Sequence, residues 1–104
     1  MGNVYLMYDE GNGFCKIGVT NGLAEDRLKE LQTGNGNKLH VIHVYQTKEP
    51  FKIEHFLHTH FRLKHEMGEW FRLDYDDMVG FIDTCKWAQN IVDSLEDNPF
   101  YNRR

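Results

Sequence analysis

Residues 4–19 contain the pattern from which the rest of the fold follows, two apolar runs on either side of a glycine-rich turn. They are Val4-Tyr5-Leu6-Met7-Tyr8-Asp9-Glu10-Gly11-Asn12-Gly13-Phe14-Cys15-Lys16-Ile17-Gly18-Val19. Glycine and asparagine supply the positive φ angles that a hairpin turn needs, so the pattern predicts two antiparallel strands. Side chains alternate along a strand, which puts Tyr5 and Lys16 on the face opposite Val4 and Ile17. We therefore expect one face to be core and the other to carry Tyr5 and Lys16.

An amphipathic helix and a third strand are predicted next. The helix covers residues 23–32, and Gly34 stands where a left-handed cap is expected. Its apolar stripe consists of Leu23, Leu28 and Leu31. Residues 39–45 mix β-branched and aromatic side chains, which is typical of a strand.

Two more helices are predicted in the second half of the chain. Pro50 suits a first helical turn, and apolar residues continue that helix to about Leu63, with Glu54 and His58 on one face. A turn at residues 68–71 enters a short extended segment. Acidic residues then begin a last helix, because carboxylates match the exposed amides of a helix start. Its apolar stripe is Met78, Phe81, Ile82, Cys85, Ala88, Val92 and Leu95.

These elements predict a mixed α/β (α+β) fold with a small, mainly antiparallel sheet of three strands flanked by helices. The 104 residues are enough for one domain, expected over residues 1–96, with a frayed tail over residues 97–104. No apolar run is long enough to cross a bilayer, so we expect a soluble protein without a membrane partner.

The acidity of the chain is concentrated in its last third. The formal net charge is −4, yet residues 1–65 hold eight Lys/Arg against seven Asp/Glu, and all six histidines. Residues 66–104 hold four Lys/Arg against nine Asp/Glu. Because the first part can present a locally basic face, the net charge does not exclude a nucleic-acid partner.

Two cysteines, Cys15 and Cys85, bear on the cellular compartment. They form no CxxC motif and no signal peptide precedes them, which favours reduced thiols in an intracellular protein. A single disulfide between them stays open as an alternative.

Several polar residues do not reduce easily to packing positions: Tyr5, Lys16, Arg27 and Glu54. Each has a structural alternative. Tyr5 can pack with its hydroxyl at the rim, and Lys16 can be a solvated edge residue that discourages strand pairing. Arg27 and Glu54 can be surface charges with weak partners.

The same residues carry a resemblance to a known family. The matching motifs are Val4-Tyr5, Lys16-Ile17-Gly18, Arg27-Leu28-Lys29-Glu30-Leu31-Gln32-Thr33-Gly34-Asn35, Glu54-His55-Phe56-Leu57-His58 with Phe61, and Gly68-Glu69-Trp70-Phe71. Their order over residues 3–73 resembles the GIY-YIG nuclease superfamily, in particular a phage and large-virus branch with a Lys-Ile-Gly second half-motif. The first half-motif lacks its leading glycine, and Lys16 stands where other branches have a second tyrosine.

The resemblance implies a metal-dependent endonuclease that hydrolyses DNA phosphodiester bonds with one divalent ion, Mg²⁺ or Mn²⁺. By position, it implies that Tyr5, Lys16 and Arg27 are catalytic and that Glu54 is the metal ligand. The chemistry of the side chains suits these roles. A glutamate is a hard oxygen ligand that such ions accept, and an arginine fork stabilises charge on a phosphate.

The tyrosine and a histidine complete the expected mechanism. Tyr5 accepts a proton from the attacking water or orients that water, with Lys16 lowering the pKa of the phenol. His58 protonates the leaving oxygen or contacts the phosphate, or else makes a structural hydrogen bond.

The remaining unusual residues have structural explanations. Trp70 and Phe71 are expected to close the core, although an exposed tryptophan can stack on a base. Gly18 indicates a close backbone approach or a bulge beside the site. No zinc site is expected, because the other histidines lack paired-ligand spacing: His40, His43, His55, His60 and His65.

DNA is the expected partner. The protein is expected in the cytoplasm or the nucleus of a host cell. No separate DNA-binding domain fits in this length, so we expect weak affinity, or affinity supplied by homo-oligomerisation or an accessory partner. The alternative function is a catalytically silent nucleic-acid-binding or protein-interaction module on the same scaffold. A third is a scaffold or inhibitor that meets a basic partner through the acidic surface after residue 66.

Overall fold

The computed structural model describes residues 1–96, and the tail predicted over residues 97–104 lies outside them. A 3-10 turn at Arg62–Lys64 joins the second helix to the fourth strand. The strands and helices are, in chain order, β1 (Gly2–Asp9), β2 (Cys15–Thr20), α1 (Ala24–Thr33), β3 (Leu39–Thr47), α2 (Pro50–His60), β4 (His65–Met67), β5 (Trp70–Phe71), α3 (Tyr75–Val79) and α4 (Phe81–Glu96). The predicted class, an antiparallel sheet flanked by helices, is confirmed.

Over the described part of the chain, the sheet has five strands rather than the predicted three. Its order is β3-β1-β2-β5-β4, and every neighbouring pair is antiparallel. The two additional strands, β4 and β5, contain only three and two residues. Segments this short show no alternation of apolar and polar residues, so the sequence predicted only a turn at residues 68–71 that enters a short extended segment.

The predicted alternation of faces along β1 and β2 is confirmed. Val4, Leu6 and Ile17 lie in the main core with residues of α2 and α4. Tyr5 and Met7 lie on the other face, where they are buried against α1. Both faces of the central strands are therefore covered, and the second face is a smaller core rather than a solvated surface.

The β1–β2 turn is held by a buried carboxylate. Asp9 Oδ1 accepts hydrogen bonds from the backbone N–H groups of Gly11 and Asn12 at 2.8 and 3.2 Å. Gly13 adopts a positive φ of 78°, the conformation for which the glycine-rich turn was expected to be needed. The predicted strand pairing is therefore correct, whereas the positive φ expected in the turn occurs at Gly13 and not at Gly11 or Asn12.

Both cysteines are buried free thiols, so the disulfide alternative is wrong. Burial raises the pKa of Cys15 to about 11 and that of Cys85 to about 12. At neutral pH both side chains are therefore protonated, and they behave as small apolar residues of the main core.

The boundaries of the helices differ from the predicted ones. Leu23 precedes α1 and is 67% exposed, so it is not part of the apolar stripe. Gly34 ends α1 with a φ of −95°, which is not left-handed. Helix α2 ends at His60, because the chain tightens into the 3-10 turn, and Leu63 is exposed.

The predicted last helix is two helices. Asp74 and Asp77 form a capping box at the start of α3, which ends at Gly80. Glycine has the lowest helix propensity after proline, and α4 starts directly after it. The long apolar stripe of α4 then packs on the main core. Among the described residues, no helix combines the length and the apolar character that a transmembrane span requires.

Candidate active site

The ring of a buried tyrosine in β1 lies against a glycine of β2, where no side chain occupies the space. Tyr5 in β1 pairs with Gly18 in β2, and Tyr5 is 1% exposed. A Cβ atom built on Gly18 would lie 2.4 Å from the phenol oxygen of Tyr5. Gly18 therefore leaves the space that the ring occupies, and the predicted close approach at this glycine is confirmed.

Helix α1 brings an arginine to the phenol. Ala24, Leu28 and Leu31 pack against the smaller core, which fixes the helix over the face that carries Tyr5. Arg27 interacts with the Tyr5 hydroxyl from this helix. Its Nη1 atom also donates to Glu30 Oε2 at 2.8 Å. The guanidinium thus joins the phenol to an exposed carboxylate.

The β4–β5 hairpin places a carboxylate against the lysine of β2. Lys16 pairs with Trp70 in the sheet, and the backbone N–H of Ile17 donates to the carbonyl of Glu69 at 3.0 Å. These contacts set Glu69 Oε1 2.9 Å from Lys16 Nζ, which in turn lies 5.6 Å from the centroid of the Trp70 ring. Phe71 is buried, as predicted, whereas Trp70 is half-buried beside the ammonium group.

Helix α2 approaches the outer edge of β2. Ile53 and Leu57 are fully buried in the main core, so the next residues, Glu54 and His58, lie at its rim. His58 Nε2 donates to the carbonyl oxygen of Ile17 at 2.9 Å. This hydrogen bond corresponds to the structural role that the sequence left open for His58 beside a catalytic one. It links α2 to β2, the strand that carries Lys16.

We expect His58→Ala to lower the free energy of unfolding by about 1–3 kcal/mol, because the carbonyl of Ile17 loses its partner. The imidazole also packs edge-on against Phe71, with ring centroids 4.9 Å apart. His55→Ala is the matched control, since His55 is an exposed histidine on the same helix. Equal unfolding free energies for both variants in urea would contradict this structural assignment.

The pKa of the Tyr5 phenol differs from the prediction. Burial raises the pKa of Tyr5, and the carboxylates of Glu69 and Glu54 add to that rise. Arg27 opposes it. The pKa of Tyr5 is therefore raised rather than lowered as predicted, and the ammonium group of Lys16 is paired with Glu69. At neutral pH, Tyr5 is a neutral hydrogen-bond donor.

The two carboxylates face each other. Burial raises the pKa of Glu54, and interaction with Glu69 raises it further, whereas His58 and Lys16 oppose the rise. Like-charged carboxylates at such proximity favour a shared proton or a cation between them. Glu69 was not among the residues predicted for the site, although it lies in the motif at residues 68–71, which was the signal that could have indicated it.

The side chains that converge at the site come from β1, β2, α1, α2 and the β4–β5 turn: Tyr5, Lys16, Arg27, Glu54 and Glu69. His58 contacts this group through the backbone of β2. The other histidines stand apart from it. Within residues 1–96, no three His, Cys, Asp or Glu side chains form a group that could hold a metal ion.

The donor set nevertheless fits one hard divalent cation. Mg²⁺ and Mn²⁺ are commonly bound by one or two carboxylates, with waters and substrate phosphate in the remaining positions. Glu54 and Glu69 supply two such carboxylates, and their mutual repulsion raises the pKa of Glu54. A cation between them would remove that repulsion.

Comparison with known proteins supports a nuclease-like module. No curated protein and no solved structure matches the chain significantly. The model of the T5orf172 domain matches residues 2–86, a range that includes every residue of the site described above. This domain is phage-associated and nuclease-related. The chain therefore belongs to the T5orf172 domain family.

Proposed function

We propose that the protein is a metal-dependent endonuclease that hydrolyses DNA phosphodiester bonds through a GIY-YIG-type site. The observation that supports this most strongly is the convergence of a phenol, a guanidinium and a carboxylate from separate elements: Tyr5, Arg27 and Glu54. Structural stability does not require these groups to meet. Phosphodiester hydrolysis can use all three near one phosphorus atom, because a guanidinium stabilises charge on the phosphate, a carboxylate holds a metal ion and a hydroxyl orients the water.

Each side chain has a role that its surroundings support. In hydrolysis, the oxygen of a water bonds to phosphorus and the water gives up a proton to solvent, while the bond from phosphorus to the leaving sugar oxygen breaks and that oxygen takes up a proton from solvent. Arg27 binds the phosphate and stabilises the charge that builds on its oxygens, since its guanidinium is half-exposed. Tyr5 orients the attacking water through its hydroxyl, and Lys16 contributes positive charge from the same sheet face.

Glu54 and His58 neither bind the phosphate directly nor orient the water. Glu54, with Glu69 beside it, would hold Mg²⁺ or Mn²⁺. When bound, such an ion supplies Lewis-acid activation of the phosphate. We assign His58 a positioning role, because its Nε2–H is bound to the backbone of β2 and so keeps the neighbouring Glu54 at the strand edge.

A cleavage assay on supercoiled plasmid tests the proposed function. The purified chain is incubated with plasmid in Mg²⁺, in Mn²⁺ and in excess chelator, and nicked and linear products are separated on a gel. We expect products with either ion and none with chelator. Salt-dependent DNA binding without cleavage in any metal would instead identify a catalytically silent nucleic-acid-binding module.

We expect Tyr5→Phe to lower kcat by about 100-fold, because the water loses the hydroxyl that orients it. Folding should be preserved, since phenylalanine fills the same space over Gly18. Tyr8→Phe is the matched control on the same strand, and it should leave kcat unchanged. Initial nicking rates at saturating DNA measure both. Equal rates for wild type and Tyr5→Phe would remove Tyr5 from the mechanism.

A further inference from the structure

Both cations of the site are already bound to carboxylates in the free protein. Lys16 Nζ lies 2.9 Å from Glu69 Oε1, and Arg27 Nη1 lies 2.8 Å from Glu30 Oε2. A phosphate that binds either cation must therefore share or replace a carboxylate partner. Carboxylate and phosphate oxygens compete for the same donors, since both accept charge-assisted hydrogen bonds from lysine and arginine.

The acidic partners are exposed to solvent, so they can be exchanged. The side chains of Glu69 and Glu30 are 42% and 66% exposed, whereas that of Lys16 is 11% exposed. The lysine is therefore held by the sheet while its partner lies in contact with solvent. Breaking an ion pair with one exposed member costs little, and water can solvate the released carboxylate.

We propose that Glu69 and Glu30 occupy the phosphate-binding positions on Lys16 and Arg27 in the free protein and are displaced when DNA binds. This inference rests on the proposed function, because it takes DNA as the ligand. The carboxylates lower the affinity for nucleic acid in general. A substrate must then bring its phosphates into register with both cations to displace them, and the exchange favours DNA of matching geometry.

Binding of a short fluorescent duplex, measured by anisotropy in excess EDTA, tests the displacement separately from cleavage. Glu69→Gln and Glu30→Gln remove one competing charge each and keep the size of the side chain. We expect Glu69→Gln to tighten binding by about fivefold or more and Glu30→Gln by about twofold to fivefold. Thermal melting of each variant verifies that it is folded.

The chain offers a matched control for each variant. Glu66→Gln makes the same change of charge on the β4–β5 hairpin, but Glu66 pairs with Arg72, which lies over Phe14 rather than in the site. Glu25→Gln makes it on α1, where Glu25 forms no ion pair within residues 1–96. The controls therefore measure the effect of the same change of charge outside the site.

The salt dependence of binding supplies a second readout that a purely structural role would not change. When a lysine without a carboxylate partner binds a phosphate, about one counterion is released from the DNA. When the lysine first gives up a carboxylate, about one fewer counterion is released in total. The slope of log K against log salt concentration should therefore be steeper by about one for Glu69→Gln, and unchanged for Glu66→Gln.

The outcomes separate this inference from the proposed function. Wild-type binding at low salt, with site variants no tighter than their controls, would overturn the displacement and leave the nuclease proposal intact. Binding by Glu69→Gln or Glu30→Gln that exceeds the controls supports displacement even when plasmid cleavage is absent. Failure of every variant to bind DNA at low salt would overturn both.

Discussion

The Glu54→Ala variant is expected to lose cleavage of DNA by at least about 1,000-fold in Mg²⁺ or Mn²⁺. A divalent cation contributes several kcal/mol to stabilising the transition state of phosphoryl hydrolysis, and each 1.36 kcal/mol is a factor of about ten in rate. Glu54 is the half-buried carboxylate that faces Tyr5, Lys16 and Glu69. Glu69 alone, already paired with Lys16, would hold the cation poorly.

Loss of fold does not explain this expected effect. Burial and Glu69 both raise the pKa of Glu54, so its charged form is less favourable in the metal-free protein than in the unfolded chain. Removing the carboxylate should leave the melting temperature unchanged or slightly higher. Glu25→Ala, an exposed acid on α1, is the control for a change of charge outside the site. Nicking rates and thermal melts on the same preparations distinguish the cases, and full activity of Glu54→Ala would refute the proposed mechanism.

Gly18→Ala is expected to lower the free energy of unfolding by about 1–3 kcal/mol and the cleavage rate by about 100-fold. The added methyl group would lie 2.4 Å from the oxygen and 2.5 Å from the ζ carbon of the Tyr5 ring. The ring is enclosed by the sheet and α1, so it cannot move aside freely. Tyr5 and Arg27 must then both shift, and the alignment of the water with the phosphate is lost.

Gly36→Ala is the matched control for the glycine substitution. Among residues 1–96, nothing lies within 4 Å of a Cβ atom on Gly36, and its φ is not in the left-handed region. This variant should be neutral or more stable by about 0.4–1 kcal/mol, because alanine restricts the unfolded chain. Urea unfolding of both variants gives the comparison. A Gly18→Ala protein as stable and as active as Gly36→Ala would show that the close contact with Tyr5 is unimportant.

Much of the fold follows from local patterns. The Asn–Gly turn and the alternation of Val4, Tyr5 and Leu6 predicted the hairpin and the faces of its side chains, because these depend on neighbours within a few residues. The β4–β5 hairpin was not predicted as two strands. Pairing over only two or three residues depends on what the adjacent strand offers, and local sequence does not contain that information.

The candidate site was likewise predictable from the sequence only in part. The order of motifs along the chain indicated Tyr5, Lys16, Arg27 and Glu54 and, through the resemblance, a nuclease-like module. Electrostatic pairing could not be read from that order. Lys16 was expected to act on Tyr5, yet its ammonium lies against Glu69, whose backbone is hydrogen-bonded to Ile17.

By itself, the amino-acid sequence determined which residue types are present, which face of the β1–β2 hairpin its side chains occupy, and to which broad family the chain is similar. The tertiary structure alone decided which polar side chains meet: Glu69 with Lys16, Glu54 with Glu69, and Arg27 with Tyr5. The reason is physical. Periodicity along a chain sets the direction of a side chain relative to its own element, whereas the interaction of two charges depends on their separation in space and on the solvent excluded between them.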